Sequence, residues 1–343
     1  MSDRVKGVVT VSTPLTAAFM DPIRKGVESL GYEVRCYDDP KSFLEDPSAL
    51  TDADVLVAVG SLPIGPEIFA RAPRLLGLVS PFTGTEGFDI AAATERGIVV
   101  ANGQTRENVE SVAEATILMM LEALYDLADA RAQLQKGWRQ GEPERTRMLK
   151  GRTIGLIGFG QIAQAVAERL MGWNVELLIA APRIHVPLPP RARRVELDEL
   201  LKQSDVVSVH APLNEETRGL IGAERLALLK PDAVLIVTSR GGIVDEDALC
   251  RLADERPDFR FALDVFAHEP LSLDSPLRRV PSAILTAHAL AHTRESIASL
   301  ITTAIKNIRN ILEGQPPVYL CNPQVMPAWT ERWGSDDSKR AAG

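Results

Sequence analysis

Cysteine is scarce: the 343 residues hold three, Cys36, Cys250 and Cys321. An odd, widely spaced set without a CxxC pair gives neither a disulfide framework nor a zinc site. No run reaches the roughly 18 apolar residues of a membrane span. Positive charge is not in excess. The formal net charge is −8, which argues against nucleic acid or an anionic membrane as partner. Met1-Ser2-Asp3-Arg4 lead into a strand-like run rather than an apolar signal core. Repeats of solenoid length and low-complexity tracts are also missing. A globular protein in a reducing cytoplasm is the expectation these absences leave.

What is present is ordinary in amount and informative in order. Hydrophobic residues make up 45% and charged residues 24%, and the length suits two domains rather than one core. Short, continuous Val- and Ile-rich runs occur at Gly7–Val11, Val55–Val59, Thr153–Ile157, Leu177–Ala180, Val206–Val209, Val234–Val237 and Phe261–Val265. Such runs suit strands covered on both faces, as in a parallel sheet, and helical periodicity lies between many of them. The fold class is therefore α/β, with two parallel-sheet series joined by right-handed crossovers. One series occupies about 1–102 and the other runs from 151 to about 286.

Between the two series, Val112, Ala115, Thr116, Met119, Met120 and Ala123 repeat at helical spacing. They predict one long helix over Val109–Gln135. The polar segment Lys136–Lys150, with Trp138 as its large anchor, is either a surface loop or a subunit-contact arm. Apolar positions from Ile297 to Leu312 predict an amphipathic helix stopped by Gly314 and Pro316-Pro317. From Pro327 onward the composition predicts a loose tail.

Ile154-Gly155-Leu156-Ile157-Gly158-Phe159-Gly160-Gln161-Ile162-Ala163 reads as strand, tight turn and helix start. Gly158 permits the turn, Gly160 lets the backbone N–H groups of Gln161 and Ile162 approach a pyrophosphate, and Ala163 allows close packing of helix on strand. A nicotinamide dinucleotide is the expected cofactor. An acid at the end of the following strand would hold a free ribose 2′-hydroxyl. Here that strand ends in Ala181-Pro182-Arg183. With no acid to repel a 2′-phosphate and Arg183 able to pair with it, NADP(H) is favoured over NAD(H). Arg191, Arg193 and Arg194 lie farther on and read equally as a solvated loop.

Three later runs each place a charged or titratable residue where a strand ends: Thr238-Ser239-Arg240-Gly241-Gly242, Asp264-Val265-Phe266-Ala267-His268-Glu269-Pro270 and Leu285-Thr286-Ala287-His288. A guanidinium, a carboxylate and an imidazole at neighbouring strand ends can hold a substrate carboxylate while moving a proton on a carbonyl oxygen. His288 and His292 are four apart, but no adjacent glutamate or third ligand accompanies them, and no metal is expected.

With these motifs assembled, the chain resembles the D-isomer-specific 2-hydroxyacid dehydrogenase family, from about Arg74 to about Asn322. Asn102, Asn108 through Glu114, Ser204 through Leu213 and all the motifs above carry the resemblance. It implies two Rossmann-like domains, with a cofactor domain (103–289) inserted into a flavodoxin-like substrate domain (1–102 and 290–343). It implies His288 as acid/base, Glu269 as its partner and Arg240 as the residue gripping the substrate carboxylate. Asp264 would hold the nicotinamide amide, Thr238 and Ser239 would line the cofactor beside Arg240 and His288, and Ala211 and Pro212 would border the adenosine. The backbone N–H groups of Thr83 and Gly84 would meet the substrate carboxylate. Phe82 stands where glycine is common and Glu86 where aspartate is common. Phe82 suggests a reshaped or more apolar pocket. The implied reaction is hydride transfer between NAD(P)H and a small 2-keto or D-2-hydroxy acid such as glyoxylate or hydroxypyruvate. Separately, the buried helix Val109–Gln135 and the arm after it suggest a homodimer. Corepressor-like members keep the same Arg, Glu and His, so a dinucleotide-sensing binding protein is the alternative.

Overall fold

The computed structural model describes residues 7–12, 17–137, 146–256 and 258–342. The chain divides into two compact units, 1–108 with 294–343, and 109–293.

The first unit is built on a five-stranded parallel sheet of order β2-β1-β3-β4-β5. Its strands are β1 (Val8–Ser12), β2 (Glu33–Tyr37), β3 (Val55–Ala58), β4 (Gly77–Val79) and β5 (Val99–Ala101). Continuous apolar strands are explained by two-sided burial. Val55 and Val57 face one hydrophobic cluster, while Leu56 and Ala58 face the other. Buried Asp54, just ahead of β3, accepts the Val8 N–H at 2.8 Å and pairs with Arg74 at 3.1 Å. That contact satisfies the leading edge of β1.

The second unit holds a seven-stranded parallel sheet of order β12-β11-β10-β9-β6-β7-β8. Its strands are β6 (Thr153–Ile157), β7 (Glu176–Ala180), β8 (Ala192–Arg194), β9 (Val206–Val209), β10 (Val234–Val237), β11 (Arg260–Leu263) and β12 (Ala283–Leu285). Here too the faces alternate, with Leu235 and Val237 in one cluster and Val234 and Ile236 in the other. Asp205 repeats the device of the first unit: it accepts the Thr153 N–H at 2.8 Å and pairs with Lys230 at 2.8 Å.

Two sequence expectations are corrected. The long helix is two, Arg106–Tyr125 and Leu127–Gln135. Asp126 between them is left-handed at φ 50°, caps the Asp129 N–H, and pairs with Arg260 at 2.8 Å. Arg260 also donates to the Ala123 carbonyl at 3.2 Å. A cation from a distant strand thus ends the first helix, and periodicity cannot register it. The proposed arm at Lys136–Lys150 lies largely outside the described residues, Trp138 included.

The second correction is the tail: Met326–Ala342 is helical. Trp329 is buried and its Nε1 donates to the Leu76 carbonyl at 3.0 Å, while Trp333 donates to Ile311 at 3.1 Å. These aromatics, four residues apart, share a helix face. Truncating a buried Trp typically costs about 3–5 kcal/mol, so Trp329, with half-buried Trp333 beside it, outweighs a polar average. Pro327 sits in the first turn, where its missing N–H is not needed.

Candidate active site

One register row organises the second unit. Ala180, Ile157, Val209, Val237, Leu263 and Leu285 pair side by side across six strands. One residue beyond that row stand Ala181, Gly158, His210, Thr238, Asp264 and Thr286. Every candidate in this unit therefore leaves the sheet at its carboxyl edge. The strand order reverses between β6 and β9, and such a switch point opens a crevice where ligands bind in open α/β sheets.

Gly158 and Gly160 lie at that point. Gly158 has φ 88°, and a Cβ there would come within 2.9 Å of the His210 carbonyl carbon and the Ala211 nitrogen. Gly160 begins the helix Gln161–Leu170 without a side-chain cap, and a Cβ on it would meet nothing within 4 Å. Among the described residues the Gln161 and Ile162 N–H groups have no protein acceptor. Ala163 is fully buried. An open cradle at an uncapped helix start fits a pyrophosphate, because the N–H groups and the helix dipole both favour an anion.

Beyond β7, Arg183 is exposed. Arg191 is engaged by Asn174, and Arg193 binds Glu199 at 2.9 Å and Gln203 at 2.5 Å. Arg194 donates to the Pro182 carbonyl at 3.1 Å, which puts it on the same turn as Arg183. Across the switch point Ala211 is buried and Pro212 exposed. Burial pushes the His210 imidazole down to about 4, and its Nε2 lies 2.9 Å from the Ser208 hydroxyl.

The hydroxyls of Thr238 and Ser239 differ. Thr238 Oγ1 is 2.9 Å from Thr116 Oγ1, whose own proton reaches the Val112 carbonyl at 2.8 Å. Thr238 thus donates to Thr116. Ser239 Oγ is buried with no hydrogen-bond partner among the described residues. A buried orphan hydroxyl on a strand-end loop calls for a ligand atom. Asp264 is buried and accepts from the Thr286 hydroxyl at 2.5 Å.

Arg240, Glu269 and His288 do come together. Arg240 donates through Nη1 to the Ser239 carbonyl at 2.6 Å. Glu269 Oε1 accepts the Phe266 N–H at 2.9 Å, and Oε2 meets His288 Nδ1 at 2.7 Å. Partial burial pushes the Glu269 carboxyl up. The hydrogen bonds from His288 and Phe266 and the charges of His288 and Arg240 outweigh it and hold the group below its ordinary value. An ionised carboxylate has no proton to give, so Nδ1 is the donor and Nε2 is the nitrogen left to face a substrate. His288 has φ 53°. His288 and His292 both lie outside helices, so their spacing does not make a helical metal pair.

Gly241 was not singled out by the sequence. A Cβ there would lie 1.9 Å from the Phe266 carbonyl carbon and oxygen. The Gly241-Gly242 pair was visible, but only the fold shows what approaches it.

In the first unit, the loop Ser80–Asp89 is held from several sides. Ser80 Oγ donates to the Gly84 carbonyl at 2.7 Å, Asn102 Nδ2 to the Thr83 carbonyl at 2.9 Å, and Asn108 Nδ2 to Thr83 Oγ1 at 2.8 Å. The N–H groups of Thr83 and Gly84 have no protein acceptor among the described residues. The Phe82 ring stacks on Phe19, with centroids 4.9 Å apart and planes at 14°. It anchors the loop to the core of its own unit.

Residues 117–289 match the family model for the NAD-binding domain of D-isomer specific 2-hydroxyacid dehydrogenases. The chain is 33% identical over 287 residues to glyoxylate/hydroxypyruvate reductase B of Pectobacterium atrosepticum, covering 82% of this chain and 89% of that one. It is 33% identical over 282 residues to D-3-phosphoglycerate dehydrogenase of Methanocaldococcus jannaschii, covering 81% of this chain but 53% of the relative. The chain thus spans about half the length of the phosphoglycerate dehydrogenases it matches. Among solved structures, D-lactate dehydrogenase from Aquifex aeolicus, complexed with NAD and lactic acid, superposes with a TM-score of 0.80 at 26% identity. That match covers 90% of this chain and 96% of the other.

Proposed function

Because the chain belongs to the D-isomer specific 2-hydroxyacid dehydrogenase family, we propose that it interconverts small 2-keto and D-2-hydroxy acids of the glyoxylate or hydroxypyruvate type. The observation that carries this reading is the His288–Glu269 pair at 2.7 Å beside the Arg240 loop, at the same sheet edge as an open dinucleotide cradle. A bound nicotinamide supplies or accepts the hydride. Gly158 and Gly160 leave room for the pyrophosphate, Gln161 and Ile162 offer it N–H groups, and the Ser239 hydroxyl and Asp264 offer polar atoms to the nicotinamide side. Arg240 grips the substrate carboxylate with its planar fork of donors. In reduction His288 gives its Nε2 proton to the carbonyl oxygen; in oxidation it takes the hydroxyl proton back. Glu269 keeps the ring oriented and favours its charged form.

The absence of an acid after β7, with Arg183 exposed and Arg194 on the same turn, supports NADP(H) over NAD(H). We expect a panel of 2-keto acids to show turnover on glyoxylate or hydroxypyruvate, with a KM for NADPH at least about tenfold below that for NADH. An arginine–phosphate contact is worth about 1.5–3 kcal/mol. Reversed cofactor preference removes the Arg183 assignment alone, whereas consumption of neither cofactor with any keto acid removes the reaction.

A homodimer completes the proposal. Leu118, Tyr125, Leu127 and Leu134 are large apolar side chains left exposed on the paired helices, as expected of a subunit contact. Light scattering at micromolar concentration should give twice the chain mass, and a monomer mass refutes it. Among the described residues no helix is long and apolar enough to cross a membrane.

A further inference from the structure

Two segments of the second unit carry the proposed chemistry: 238–246, which presents Arg240, and 264–270, which presents Glu269 and through it His288. Gly241 packs against the backbone of Phe266. A single point of contact leaves two loops free to pivot about it. A second contact stands further along. Glu246 Oε1 accepts the Ala267 N–H at 2.6 Å. The adjacent N–H, that of Phe266, goes to Glu269 Oε1 at 2.9 Å. Consecutive amides of one loop are thus each taken by a carboxylate, one from within the loop and one from the arginine segment.

Glu246 is itself held firmly. It is the first residue of the helix Glu246–Glu255, whose start is fixed by Asp245 accepting the Ala248 N–H at 2.9 Å. A carboxylate in a first helical turn has a plainer explanation, attraction to the helix dipole, worth about 0.3–1 kcal/mol. Asp247 already supplies that charge in the same turn. The dipole also gives no reason for Glu246 to become half-buried and reach a loop 21 residues away. Burial works against the charge of Glu246, as do Asp247 and Glu269 nearby, while the Ala267 N–H and His268 favour it. The arrangement therefore spends charge stability on a contact between the two segments.

We propose that Glu246 is a positioning residue, which fixes the Glu269 loop against the Arg240 loop through the Ala267 amide and so sets the distance from guanidinium to imidazole. The proposal rests on the hydride-transfer reading for its effect on rate, and on geometry alone for the contact.

Two substitutions in the 343-residue chain separate this role from a charge effect. Glu246→Gln keeps an acceptor oxygen at full reach and loses the charge. Glu246→Asp keeps the charge and the first-turn acid but shortens the reach by one methylene. A positioning role predicts that Gln retains kcat within about threefold, while Asp loses about tenfold to hundredfold, the scale of a misplacement near 1 Å. The KM for the nicotinamide cofactor should stay within about twofold in both, since the cradle is untouched. Hydrogen exchange at the Ala267 amide should accelerate at least about tenfold in Asp and little in Gln. The reverse ranking, Gln impaired and Asp intact, overturns the proposal in favour of charge. Equal activity, or cofactor KM rising in step with the loss of kcat, overturns it as well. If the unmodified protein reduces no keto acid, the hydride-transfer reading falls by itself, and exchange at Ala267 still decides whether Glu246 holds the loop.

Discussion

His288→Ala is expected to lower kcat by about 10²–10⁴-fold, the usual contribution of a positioned acid/base. Cofactor affinity should change little, because the glycine turn and the helix start lie at other strand ends. The backbone complicates the substitution: His288 has φ 53°, a conformation that alanine adopts at some cost and asparagine tolerates better. His288→Asn therefore serves as the conformational control. It should be nearly as slow as the alanine variant, since an amide cannot deliver a proton at neutral pH, while unfolding at closer to the native temperature. If either variant keeps kcat within tenfold of native, His288 is not the proton donor.

Arg240→Ala is the second large effect. It should reduce kcat/KM by about 10²–10³-fold, comparable to losing one preorganised donor at a developing charge. Unlike the histidine variant, it should also raise the KM for the keto acid, because in the proposed mechanism the guanidinium grips substrate before reaction. Lysine should restore only part of the loss: it returns the charge but not the planar fork. The comparison needs steady-state kinetics for both substrates. Full recovery by Arg240→Lys would show that charge alone acts there, and an unchanged keto-acid KM in the alanine variant would remove Arg240 from the carboxylate contact.

Much of this was legible in the chain itself, for a physical reason. Parallel strands buried on both faces leave continuous apolar runs, so β6, β9 and β10 are read from the residues with the same bounds the structure gives. Strand-end residues are legible by the same logic, since a charged side chain directly after such a run must lie at the sheet edge. What escaped were features set by pairs distant in sequence. The break at Asp126 depends on Arg260. The terminal helix depends on Trp329 reaching Leu76, a contact that average polarity conceals. The stacking of Phe82 on Phe19, 63 residues away, likewise has no local signal. Neither Gly241 nor Glu246 carries a local signal of its use, because each acts on the backbone of a segment more than 20 residues away.

The fit of Gly241 against Phe266 has a wider implication for how this protein can be altered. Main chain touches main chain there, so no neighbouring side chain can shrink to make room for a larger residue. At that one point the closest approach of the two loops is a fixed dimension of the scaffold, like the pitch between sheet strands, while the orientation about it is left to other contacts. Attempts to alter the second unit should therefore leave that junction alone and substitute side chains elsewhere along the two loops.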